Sequence, residues 1–158
     1  MSMIASLKSI SESQLSEMIE APSKLVSYLY DDESGKVCVM DKAWHGIHFL
    51  LNGSAWSSVS IEGSIFLGGV PVSDEDVGYG PARYFTAEQT KEISAGLQKI
   101  SENDLLVKYL SLVEEPEIYP GFEDNEVDRN YITQNFAHLK TFVEGLAKSG
   151  DCLLSFMH

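Results

Sequence analysis

Residues 126–157 read EVDRNYITQNFAHLKTFVEGLAKSGDCLLSFM, and this stretch decides the fold class. Val127, Tyr131, Ile132, Leu139, Phe142, Val143 and Leu146 keep the spacing of an apolar helical stripe, which predicts a helix from Glu126 to Lys148. Acids crowd its start and Lys148 stands at its end, as the helix dipole favours. Gly150 is a stop signal, and Cys152–Met157 reads as a closing strand. A long helix that delivers the chain into a strand is the unit of a layered α/β domain.

The same alternation runs upstream. Residues 3–10 are short, partly β-branched and loosely alternating, which predicts a first strand. Ser11 and Gln14 form a capping box that opens a helix to about Ile19, and Pro22 starts a second helix to about Tyr30. Val37–Met40 reads either as a short strand or as the lead-in to a helix N-capped by Asp41 and stopped at Asn52-Gly53. Residues 54–72 stay open, with Ile65-Phe66-Leu67 readable as a buried strand or a short helix. Ala82–Phe85 reads as a strand. Capping boxes at Thr86/Gln89 and Ser101/Asp104 begin helices to about Ile100 and Leu110, before an irregular acidic loop over 114–123. The expectation is one α/β layered domain over residues 1–158, built on a mixed β-sheet.

Composition narrows the range of functions. The net charge is −13, from 24 acidic and 11 basic residues, and only Arg83 and Arg129 are arginines. The scattered lysines make no basic patch, so neither nucleic acid nor an anionic membrane is an expected partner. An acidic field steers basic partners instead. Cys38 and Cys152 stand far apart without a CxxC, the pattern of reduced thiols in a reducing compartment. The opening residues show no charged leader followed by an apolar stretch, and no apolar run approaches a membrane span. A cytoplasmic location is the default expectation.

Residues 41–51, DKAWHGIHFLL, concentrate the versatile chemistry. Read as one helix, they place Asp41, His45 and His48 on a shared face. The histidine spacing is three and the glutamate of HExxH is missing, so no metal site and no cofactor are expected. Packed or hydrogen-bonded histidines beside an N-cap are the plainer reading.

Together with the Leu67-Gly68-Gly69 turn and Glu117-Ile118-Tyr119-Pro120-Gly121, the pattern Asp41-Lys42-x-Trp44-x-x-x-His48-Phe49 resembles the YfbM-like family of small bacterial proteins. The likeness runs along nearly the whole chain. It implies a single α/β domain with helices packed on both faces of a sheet. It implies no activity and supplies no catalytic residues, because the family is a domain of unknown function.

Two functional expectations follow. The first is a non-enzymatic binding protein whose acidic surface meets a basic protein partner, in the manner of an inhibitor or immunity protein. The second is a small-molecule-binding protein or enzyme with a pocket drawn from His45, His48, Tyr79, Arg83 and Tyr119, which requires those side chains to converge. In so acidic a chain Arg83 is expected to pair with Asp or Glu, although a bidentate clamp on an anionic ligand is the alternative. No nucleophile motif such as GxSxG and no calcium loop is present.

Overall fold

The computed structural model describes residues 2–158. Strand β1 (Ala5–Ile10) leads into helices α1 (Glu12–Glu20) and α2 (Leu25–Tyr30), the latter preceded by a 3-10 turn at Pro22–Lys24. Strand β2 (Val37–Asp41) feeds helix α3 (Trp44–Asn52). After an irregular stretch come the short strands β3 (Val70–Pro71) and β4 (Arg83–Phe85). Helices α4 (Ala87–Gln98), α5 (Glu102–Leu106), α6 (Tyr109–Glu114) and α7 (Glu126–Ser149) then lead to β5 (Cys152–Met157). None of the described helices is long and apolar enough to cross a membrane.

The strands form one sheet in the order β2-β1-β5-β4-β3. Each pairing is antiparallel, where a mixed sheet was expected. The reason is parity: one crossover helix carries the chain back to the end of the sheet where the strand began, and the next strand is parallel. Here two helices join β1 to β2 and four join β4 to β5, so the chain re-enters at the end it left and the next strand runs antiparallel.

Helices cover both faces. Leu7 and Leu153 point into a large core with Trp44, Ile47, Ile93, Phe136, Leu139 and Val143, contributed by α3, α4 and α7. Ile10, Leu154 and Phe156 pack on the other face against Leu15, Met18, Leu25 and Leu29 of α1 and α2. Residues of β1 and β5 are therefore buried on both sides, which the Cys152–Phe156 run, apolar except for Ser155, accommodates.

Lys8 of β1 is fully buried under α2. Its ammonium donates to the carbonyls of Tyr28 and Asp32 at the end of α2 and lies 4.2 Å from the centre of the Tyr28 ring. It thus caps a helix C-terminus with a positive charge, and desolvation holds its pKa below the usual lysine value despite the opposing charge of Asp32.

Candidate functional site

Helix α3 is apolar nearly all round, which predicts burial, and every residue from Trp44 to Leu50 is buried. Its N-cap is Ala43, with no side-chain cap, and not Asp41. Asp41 ends β2 with a φ of 51°, a left-handed conformation that aspartate tolerates better than most residues. Its carboxylate accepts a 2.6 Å hydrogen bond from the Tyr131 hydroxyl of α7, which in turn accepts from the Lys42 amide at 3.1 Å. The expected Asp41–His45–His48 face therefore does not exist: Asp41 stands outside the helix and serves the turn that enters it.

His45 is a clamp. Its Nε2 donates to the Ala55 carbonyl at 2.8 Å and its Nδ1 accepts from the Tyr119 amide at 3.0 Å, so the network assigns a neutral ring protonated at Nε2. The ring stacks on Trp44 at 4.6 Å and is covered by Trp56 at 4.5 Å, and the Trp56 indole is tied to Glu117 at 2.8 Å. One imidazole thus pins the 54–57 and 117–120 loops to α3. Burial lowers its pKa against smaller raising effects from the Ala55 carbonyl and Glu117.

His48 faces a different partner set. Its Nδ1 lies 3.2 Å from the Asn52 amide nitrogen, which makes Nδ1 the acceptor and leaves the proton on Nε2. That nitrogen is buried without a hydrogen-bond partner. The Ser57 backbone is near enough to favour the charged ring slightly, yet desolvation dominates, His45 adds repulsion, and the pKa falls to about 4. Asn52 is the hub here: its two N–H groups are shared among His48 Nδ1 and the carbonyls of His48 and Gly63, the latter two at 2.8 Å, and its Oδ1 accepts from Val59 at 3.0 Å. A Cβ on Gly63 would stand 2.1 Å from its Oδ1, so only glycine allows this approach.

Tyr119 meets His45 through its backbone, while its hydroxyl accepts from the Met3 amide at 3.2 Å. Tyr79 and Arg83 are elsewhere. They line a cleft of about 230 Å³ with Phe66, Leu67, Ser155 and Met157, at the β4–β5 end of the sheet. The five expected site residues therefore do not converge. Tyr79 and Arg83 share a cleft, His45 and Tyr119 share a backbone hydrogen bond, and His48 sits with Asn52. Arg83 also departs from expectation, because the ion pairs among the described residues are Arg129–Asp124 and Lys148–Glu144. Its Nη1 makes a long 3.4 Å contact to the Gly69 carbonyl and meets no carboxylate.

Two residues that matter escaped the sequence reading. Asn52 is more than a helix stop: its position four residues after His48 places both on one face. Ser155 is the lone polar residue in the Leu153–Met157 run and gave the one hint of a polar lining there. Among the described residues no group of three or more His, Cys, Asp or Glu is placed to hold a metal ion.

An antiparallel sheet covered by helices on both faces, one of them carrying two buried histidines, defines an α/β domain. Residues 1–156 match the family described as Domain of unknown function (DUF1877), and the chain belongs to that family. Its fold is similar to the crystal structure of YfbM from Escherichia coli, a protein of unknown function, with a TM-score of 0.75 and 16% identity over 98% of this chain and 99% of that one. No curated protein matches it significantly.

Proposed function

We propose that this chain is a non-enzymatic binding module that receives a Lys/Arg-rich segment of a partner protein. The observation that supports this reading is an open groove between the α1–α2 junction and the 71–75 loop. Glu20, Asp74 and Glu75 line it, no cation does, and Ile19, Pro22 and Pro71 supply apolar contact surface. A net charge of −13 adds long-range attraction for a basic partner and speeds encounter at low salt. Two free cysteines fit a reducing cytoplasm, and the likeness to an Escherichia coli protein fits a bacterial one.

The test is capture of a partner by the native chain and by a Glu20→Gln, Asp74→Asn, Glu75→Gln triple variant. Exposed ion pairs are worth about 0.2–1 kcal/mol each, so losing three should weaken binding by about 3- to 150-fold, and binding should fade with added salt. Equal capture by the triple variant, or no saturable basic partner at low salt, would refute the reading.

A further inference from the structure

The acidic groove leaves the Arg83 cleft unused, and the two share no lining residue. Within the cleft Arg83 is the one charged residue. That is unexpected in a chain with 24 acids. The Asp76 Oδ1 accepts from the amides of Gly78 and Gly80 at 2.8 and 3.0 Å, so this carboxylate is spent on the turn that carries Tyr79. The Tyr79 amide donates to the Met157 carbonyl at 3.0 Å, and Gly80 adopts a φ of 92° that favours glycine. The rim is fixed before any ligand arrives, which lowers the cost of binding.

The backbone of Arg83 is equally fixed. It faces Ser155 of β5 on one side and Pro71 of β3 on the other. A guanidinium has five N–H donors in a planar fork, and here a single long contact to Gly69 occupies one of them. The remaining donors suit a carboxylate accepted side by side. Beside them Phe66, Leu67 and Met157 offer apolar surface, and Ser155 and Tyr79 add hydroxyl groups. At about 230 Å³ the space is smaller than the pockets that hold drug-sized molecules. A doubly charged phosphate would leave one charge uncompensated beside a single cation, inside a strongly negative protein.

We propose that this cleft binds a small monocarboxylate, its anionic head on Arg83 and its compact apolar body against Phe66, Leu67 and Met157. The test is a titration of the native chain with acetate, hexanoate and benzoate, with benzamide and inorganic phosphate as controls, followed by amide chemical shifts at low salt. Hexanoate or benzoate should saturate with a Kd of order millimolar, moving the resonances of Tyr79, Gly80, Arg83 and Ser155. Benzamide, and benzoate with the Arg83→Gln variant, should bind at least about tenfold more weakly, while Arg83→Lys keeps part of the affinity. Failure of every carboxylate to saturate by about 50 mM would overturn the proposal, as would equal binding by Arg83→Gln or tighter binding of phosphate. If Arg83→Gln unfolds, the benzoate–benzamide comparison on the native chain decides alone, and equal affinities would overturn the proposal.

Discussion

Lowering the pH from 7 to 5 should destabilise the protein through His48. The ring is fully buried, its pKa is held at about 4, and an unfolded histidine titrates near about 6.5. Between those values the unfolded chain carries more protons than the folded one, so stability is full above pH 6.5 and falls as the pH drops towards the folded pKa. Linkage gives His48 a loss of about 2 kcal/mol between pH 7 and pH 5. With a urea slope of about 2 kcal/mol per molar, the unfolding midpoint moves down by about 1 M. Other groups titrate too. Protonating surface acids relieves the repulsion of a −13 chain and acts in the opposite sense, while His45, also lowered by burial, acts in the same sense as His48. The informative quantity is therefore a double difference, the pH 7 to pH 5 change in the native chain minus that in His48→Gln, both from urea melts. Stopping at pH 5 keeps the protein above its isoelectric point of about 4.5. A double difference near zero would refute the assignment of a neutral, desolvated His48.

Three substitutions probe the contacts that hold the loops and helices in place. Gly63→Ala forces a Cβ onto the Asn52 side chain and breaks its bonds to the 59–63 loop, so thermal unfolding should show a loss of about 1–3 kcal/mol. Tyr131→Phe removes the hydroxyl that joins Asp41 and the Lys42 amide, and chemical denaturation should report a cost of about 1–2 kcal/mol. Lys8→Ala leaves the Tyr28 and Asp32 carbonyls without their ammonium, and should cost about 2–4 kcal/mol in the same assay, against near-neutrality for a lysine that merely snorkelled to solvent.

Local signals in the sequence were legible because they are satisfied locally. The Ser11/Gln14, Thr86/Gln89 and Ser101/Asp104 boxes all form reciprocal caps, and α7 runs where its stripe predicts, ending at Gly150. The Ile65–Leu67 run resolved as neither strand nor helix, since Ile65 and Phe66 are buried on an irregular turn whose backbone the apolar pattern does not specify. The 101–110 helix breaks at Val107–Lys108 into α5 and α6. Asp41 misled because N-cap preference and a left-handed turn favour the same residue types. Nothing local marks Lys8 as buried, and only the docking of α2 over its strand face makes that face internal. The site residues depended most on distant pairing. Nothing local places Arg83 opposite Ser155, and the loops that His45 joins lie ten and 74 residues away in sequence.

The disposition of the cations ties the two functional proposals together. Lys8 and Lys140 donate to backbone carbonyls, of Tyr28 and Asp32 and of Ile100, and so neutralise no acid directly. Arg129 and Lys148 pair with acids on their own stretch of chain, Asp124 and Glu144. The acids of the groove are left without an ion-pair partner among the described residues, and so is Arg83. Opposite charges that could have cancelled are instead kept apart, one sign around the Glu20–Asp74–Glu75 groove and the other in the Arg83 cleft. Because they share no residue, a saturating carboxylate should leave the affinity for a basic segment unchanged within about twofold, apart from ionic strength. Competition between the two at constant salt would mean that one surface serves both, and would count against the groove as the seat of the basic partner.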